Sequence, residues 1–331
     1  PDVCFDTYDF GPSGVPHLFA VRGASSGEAS ALWSALPTGG ASNGGGYGDN
    51  CLRLGEDYNG DGERDLLFAT AYGCRTAFAL DRLTGSTLWS FDTYANYGSE
   101  QAGWIYAMDD LGSDLTADGV PEVVFCSGSY NDRVHCVDGA TGAQRWVYYA
   151  QDACTDVRSC QDLNADGVRD VVVARGDDAV PEQVTALNGA TGAHIWSRQI
   201  GNAIWSLAFI TDITGDGIQE IVPGSWAGTL YCLNGATGAV VWSVATPGQQ
   251  RVVALHDVNG DGVQDVAVGY NTTSQCRAFS GANGALLWNR AFTDWTWAID
   301  PVADVTGDGI NDVAVGDFDG KVTVLDGVSG E

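Results

Sequence analysis

Six short stretches of this chain place oxygen-bearing side chains at one fixed spacing, Asp-x-(Asn or Thr)-x-Asp-Gly-x-x-(Asp or Glu). The first offers Asp57, Asn59, Asp61 and Asp65, and the second Asp114, Thr116, Asp118 and Glu122. Asp162, Asn164, Asp166 and Asp170 form the third; Asp212, Thr214, Asp216 and Glu220 the fourth. Asp257, Asn259, Asp261 and Asp265 follow, then Asp304, Thr306, Asp308 and Asp312. A hard cation such as calcium takes six to eight oxygens, and a tight loop supplies them when alternate side chains turn inward. The glycine at the sixth position lets the backbone fold back, and the last carboxylate closes the shell. About six bound Ca²⁺ are therefore expected. An EF-hand is excluded, because it needs flanking helices and a Glu at the twelfth position. The plain alternative is a set of Asx-rich turns, which form without metal. The second loop is the least regular, since Asp109 and Asp110 precede a short insertion before Asp114.

Charge points the same way. Asp and Glu number 43 against 15 Lys and Arg, for a formal net charge of -28. Such a chain repels nucleic acid and anionic membrane surfaces, and bound divalent cations would relieve its self-repulsion.

Other residue types offer less chemistry. Four histidines, His17, His135, His194 and His256, lie in different parts of the chain, and neither a nucleophile elbow nor a phosphate-binding glycine loop stands out. A non-catalytic protein is expected. Tryptophan is the second recurrent feature. Trp33, Trp89, Trp146, Trp196, Trp242 and Trp288 each follow a Gly-rich turn such as Asn188-Gly189-Ala190-Thr191-Gly192, and their repeated placement predicts packing. Trp104, Trp205, Trp295 and Trp297 stand elsewhere and are the ligand-contact candidates.

These two signatures alternate, with short β-rich runs such as Asp265-Val266-Ala267-Val268-Gly269 between them. Each repeat thus holds four strands: a before the acidic loop, b after it, c before the Gly-rich turn, and d bearing the Trp. Radially repeated units of this size predict an all-β fold, a β-propeller of about seven four-stranded blades with the calcium loops between strands a and b. Six blades is the alternative count. The chain reads as one domain, 1–331, with 1–44 as a closing segment and six acidic repeats over 45–331. Strand a is expected to line the central channel, which places Trp104, Trp205, Trp295 and Trp297 near its mouth.

The acidic loops resemble FG-GAP or VCBS-type repeats, as in the integrin α-subunit propeller. The turn-plus-Trp motif, for example Gly228-Thr229-Leu230-Tyr231-Cys232-Leu233-Asn234-Gly235 running on to Trp242, resembles the blade of PQQ-like propellers. The resemblance implies the fold and the metal. Adjacent cysteines of the quinoprotein dehydrogenase kind are absent, so it does not imply the quinone. Together these features suggest a secreted, extracellular or cell-surface scaffold for adhesion, ligand binding or self-assembly, with a protein or glycan partner. A polysaccharide lyase-like enzyme or a sugar-binding module is the rival reading.

Nine cysteines lack zinc-site pairs; Cys136 and Cys232 fall at a small-residue position of strand c, whereas Cys51 with Cys74 and Cys154 with Cys160 are candidate disulfides. The sequon Asn271-Thr272-Thr273 makes Asn271 a glycosylation candidate. No apolar run is long enough to span a bilayer, and the start at Pro1 without Met reads as processing. The last repeat reaches only a c-to-d turn at Glu331. Either 1–44 completes the propeller within one chain, or a strand is donated to a second copy, head to tail, as in a filament.

Overall fold

Period-two apolar runs punctuated by glycine turns fold as antiparallel strands. In a computed structural model of the chain, residues 3–6, 18–22, 30–36, 38–39, 42–43, 51–71, 74–176, 182–248 and 250–331 are described. The fold is all-β, a seven-bladed β-propeller; the described residues form seven successive meander sheets, a two-stranded ladder of Thr38–Gly39 with Ser42–Asn43, and one five-residue helix, Thr93–Tyr97, capped by Asp92. Five sheets have four strands. The first of these comprises Leu52–Leu54, Leu66–Ala69, Thr76–Leu80 and Thr87–Asp92, in sequence order. The next four begin at Trp104–Asp110, Cys154–Ser159, Ile204–Ile210 and Gln250–Ala254.

The terminal sheets differ from the expected four strands. Val3–Asp6, Leu18–Val21 and Ala31–Ala35 form one of three strands. Val3–Asp6 is a strand that the sequence reading of the closing segment did not anticipate; much of that segment lies outside the described residues. At the other end Thr296–Val302, Asp312–Asp317 and Val322–Leu325 form the seventh sheet.

Contacts group the chain into two compact units: Pro1–Val173 with Asp178–Val180 and Leu187–His194, and Ala174–Asp177 with Pro181–Ala186 and Ile195–Glu331. In both, the second strands of the four-stranded sheets are buried throughout. Val123–Gly128 and Val266–Tyr270 are covered throughout, which is why they read as continuous apolar runs. The fourth strand alternates, burying Trp146 while leaving Gln144, Arg145 and Val147 exposed.

Five of the six recurrent tryptophans are seen to pair across their sheets with a small residue. Trp33 faces Ala20, Trp89 faces Ala79, Trp146 faces Cys136, Trp242 faces Cys232 and Trp288 faces Ala278. The small partner leaves the indole free to reach the following sheet. In the first unit, Trp89 and Trp146 donate their indole N–H to the carbonyls of Gly139 (2.6 Å) and Gly189 (2.7 Å), and Trp33 to that of Arg82 (2.7 Å). In the second, Trp196, Trp242 and Trp288 donate to Gly235, Gly281 and Gly327 at 3.1, 2.7 and 2.9 Å.

The last glycine of the turn seats the ring. Gly192 has φ +71°, and a Cβ there would stand 2.6 Å from the Trp146 ring. The expected packing role of these six tryptophans is thus what the structure shows.

The expected disulfides are not formed. Cys154 and Cys160 stand at opposite ends of the strand Cys154–Ser159, a separation of about 3.3 Å per residue and so far beyond the roughly 7 Å a disulfide allows. Cys74 is buried in a core with Leu18, Leu66, Phe68 and Leu80, whereas Cys51 packs against a different one containing Leu67, Ile105 and Phe125. Burial holds the Cys136, Cys160 and Cys232 thiols well above the usual range.

Gly228 offers an internal control for the glycine seat: its φ is +70°, but a Cβ there would meet nothing nearer than the Thr246 carbonyl at 3.6 Å. Gly228→Ala should cost about 1–2 kcal/mol from left-handed strain alone. Gly192→Ala should cost a further ~2 kcal/mol by displacing the Trp146 ring. Denaturant titration of both variants checks this, and equal losses would refute the seating role.

Candidate functional site

The six acidic stretches all join the first and second strands of their sheets, and they share one backbone geometry. The first Asp accepts N–H bonds from its own loop: Asp57 Oδ2 from Gly62 at 2.8 Å and Oδ1 from Gly60 at 2.7 Å. The same bond to the sixth-position glycine recurs at Asp114, Asp162, Asp212, Asp257 and Asp304, between 2.6 and 2.8 Å. These bonds, led by that glycine's, hold all six first-position carboxyls below the usual range. The third and fifth residues bond forward as well. Asn59 Oδ1 accepts from Asp61 N, and Asp61 Oδ1 from Glu63 N. Asp118, Asp166, Asp216, Asp261 and Asp308 repeat the fifth-position bond. Thr116, Thr214 and Thr306, in place of Asn, turn their hydroxyls toward Asp114, Asp212 and Asp304.

The ninth position behaves differently. Asp65, Glu122, Asp170, Glu220, Asp265 and Asp312 are all buried. Asp170 Oδ2 accepts from Leu163 N of the loop at 2.7 Å, and Oδ1 from Gly189 N of the Gly-rich turn at 2.8 Å. Asp265 binds Val258 N and Gly281 N, and Asp312 binds Val305 N and Gly327 N. Glu122 and Glu220 bind the loop N–H groups of Leu115 and Ile213. Burial raises the carboxyls of Asp65, Glu122, Asp170, Glu220 and Asp265. At Asp312 burial also pushes upward, but the backbone N–H bonds from Val305, Gly327 and Thr306 outweigh it.

The loop therefore divides its work. Its first, third and fifth residues offer exposed or half-buried oxygens with lone pairs left after the N–H bonds, a donor set that suits a hard cation. Where the ninth residue is Asp, its carboxylate bonds two backbone segments, the loop and the following turn, whereas Glu122 and Glu220 bond the loop and each keep one buried oxygen without a hydrogen-bond partner among the described residues. Among the described residues, no group of three or more His, Cys, Asp or Glu side chains stands at metal-ligating distance.

Among the tryptophan candidates, Trp104 is half-buried against Tyr106, with ring centroids 6.2 Å apart. Trp205 is 8% exposed and lies against Trp226. Trp295 and Trp297 are open, at 51% and 37%. Register explains the difference in part. The first strands of three sheets carry a bulge near their start, and the extra residue is Tyr106, Trp205 or Trp297. The bulges align Tyr106, and not Trp104, with Trp205 and Trp297. Reading by residue type also missed Arg251 and Phe318, which touch Trp297. Their signal was the Trp295, Trp297 alternation, which puts both rings on one face. Asn271 is half-buried in the turn between Val266–Tyr270 and Gln275–Phe279.

One half-buried acid has a pH consequence. Tyr58, inside the first acidic loop, donates its hydroxyl to Asp110 Oδ1, beside the Arg53–Asp109 ion pair at 3.2 Å. Burial pushes the Asp110 carboxyl up to about 6, although the Tyr58 bond pulls downward. A raised folded value means that the group's contribution is full below its unfolded value near 4 and is lost as pH rises through about 6. Asp110→Asn stays neutral, so its stability relative to the parent should rise with pH between 4 and 6. Denaturation midpoints at fixed calcium test this; a flat difference would contradict it.

Comparison with known proteins adds the family context. Residues 75–218 match the model of a PQQ-type repeat family described as outer membrane protein assembly factor BamB. No curated protein matches the chain by sequence. Among solved structures, BamB from Moraxella catarrhalis is 21% identical, with TM-score 0.54, over 91% of this chain and 78% of that one. BBS1N in complex with ARL6DN gives TM-score 0.63 at 13% identity, covering 93% and 83%. The C-terminal WD40 domain of Sif2 gives 0.63 at 14%, covering 93% and 75%. The middle of the chain is thus similar to BamB-type PQQ-like repeats, and the whole has the β-propeller fold.

Proposed function

We propose that this chain is a non-catalytic, extracellular propeller scaffold that carries calcium in its acidic loops and binds a protein partner, in adhesion or assembly. The observation that carries this reading is the sameness of the six loops at the strand a to strand b junctions. Their exposed first, third and fifth residues keep one donor geometry while the opposite ends of the sheets vary.

Three-residue oxygen sets of this openness suit the weak calcium sites of extracellular modules, which bind at 10⁻⁴ to 10⁻³ M. The strong negative charge supports the same reading, since divalent ions would offset it. Two likenesses support a protein partner: the matching family model is described as an assembly factor, and BBS1N was solved in complex with ARL6DN. Both support the proposal by analogy of fold.

Two measurements test it. Excess EGTA should lower the melting temperature by roughly 5 °C or more, because an ion that binds only the folded chain adds to its stability; an unchanged midpoint would sink the calcium reading. Asp216→Ala should lower the calcium count in native mass spectrometry by one and leave the fold intact. An unchanged count would remove Asp216 from the ligands.

A further inference from the structure

In the second unit, an aromatic ladder runs over the starts of three successive first strands. Trp226 stacks on Trp205, with centroids 5.8 Å apart and planes at 29°. The Arg251 guanidinium lies 5.3 Å from the Trp205 ring and 5.1 Å from that of Trp297, and its Nη1 donates to the Trp205 carbonyl at 3.1 Å. Trp297 meets Phe318 edge to face at 5.5 Å, and Trp295 meets the same Phe318 at 5.7 Å.

One end of this ladder is covered and the other is not. Trp205 is 8% exposed, whereas Trp295, Trp297 and Phe318 are 51%, 37% and 57% exposed. Clustered exposed rings of this size mark interaction surfaces. The cluster is also held in place: Phe318 N donates to the Trp295 carbonyl at 3.1 Å, and Trp295 N donates to Asp294 Oδ1 at 2.7 Å. Trp226 N makes the equivalent bond, to Ala203, so Phe318 and Trp226 are counterparts.

Charge selects the occupant. Thr293 Oγ1 and Lys321 Nζ both donate to Asp319 Oδ2 at 3.1 Å, and Lys321 N donates to Asp317 Oδ1 at 3.0 Å. Asp294, Asp317 and Asp319 thus rim the exposed rings, against Lys321, the single lysine of the chain. Indole faces bordered by carboxylates attract a planar cation, which gains cation–π attraction and bidentate ion pairing together. Arg251 already shows the cation–π part of this geometry between Trp205 and Trp297.

We infer that the Trp295, Trp297 and Phe318 face, rimmed by Asp294 and Asp319, is the docking site for an arginine-bearing segment of a partner protein. The inference rests on the reading of the chain as a protein-binding scaffold and names the chemistry of its partner. The segment lays a guanidinium on the open rings and continues the ladder that Arg251 begins.

The test uses the whole chain in calcium, titrated calorimetrically with a synthetic (Gly-Arg)₃ peptide and its neutral citrulline counterpart. The arginine peptide should bind and the citrulline one should not. Trp295→Ala or Phe318→Leu, each at an exposed side chain, should weaken binding tenfold or more, and Asp294→Asn with Asp319→Asn severalfold. Glu56→Gln with Glu100→Gln, an equal change of charge at exposed side chains of the other unit and outside the acidic loops, should leave it unaltered. Equal weakening by this pair and by the Asp294, Asp319 pair would overturn the site, because attraction would then be to net charge alone. Binding of a cello-oligosaccharide that Trp295→Ala abolishes, with arginine binding untouched, would overturn it in favour of a glycan. Melting in EGTA reports separately on the calcium part of the parent reading, so either can fail while the other stands.

Discussion

The rest of the structure depends on the buried carboxylate at the end of each acidic loop. Asp170 shows the arrangement most fully: one oxygen closes the loop through Leu163 N, and the other holds the turn through Gly189 N. The carbonyl of that same Gly189 receives the indole of Trp146 from the preceding sheet. Loop, turn and neighbouring sheet are therefore tied through the two backbone polar groups of one residue. Only glycine can stand there, since a Cβ at Gly189 would lie 1.8 Å from the Arg169 carbonyl. An ionised carboxylate without these bonds would be costly to bury, and neutral N–H donors compensate it here.

Opposite pKa shifts along one loop follow from this. The first carboxyl is lowered by N–H bonds at the surface, while the ninth is raised by burial at all but Asp312. Nine residues thus hold an exposed or half-buried carboxylate, open to solvent or a cation, and a buried one that accepts backbone N–H bonds. A metal at the first, third and fifth positions would add to a loop whose path is already fixed from its other end.

The sequence made the repeats legible because both signatures are local: a nine-residue loop and a turn followed by Trp within one strand. Period therefore predicted the sheets, their strand order and the packing role of the tryptophans. What it did not convey is contact across sheets, where Trp89 and Gly139 lie 50 residues apart. The ninth residue reads as one more ligand by spacing, and spacing does not tell that its carboxylate is buried and also takes backbone N–H bonds. Cys154 and Cys160 look close in sequence, yet an intervening strand separates them. Val3–Asp6 was missed because it pairs with Leu18–Val21 through a connection that carries neither signature.

Bulges explain where variation is allowed. A bulged first strand must present its extra residue to one side, and Tyr106, Trp205 and Trp297 take that place with different neighbours. Tyr106 is buried and its hydroxyl lies 3.1 Å from Ser129 Oγ; Trp205 is covered by Trp226 and Arg251; Trp297 keeps an open face. In antiparallel sheets the start of the first strand adjoins the turn between strands two and three, whereas its end enters the acidic loop. Seven residues of strand, about 23 Å at 3.3 Å each, separate the two in the sheet that begins at Thr296. The uniform loop chemistry and the variable aromatic chemistry thus occupy opposite ends of the same rigid element. Substitution at the aromatic end leaves the carboxylate clamp untouched, which is how one blade geometry can carry a different surface on each repeat.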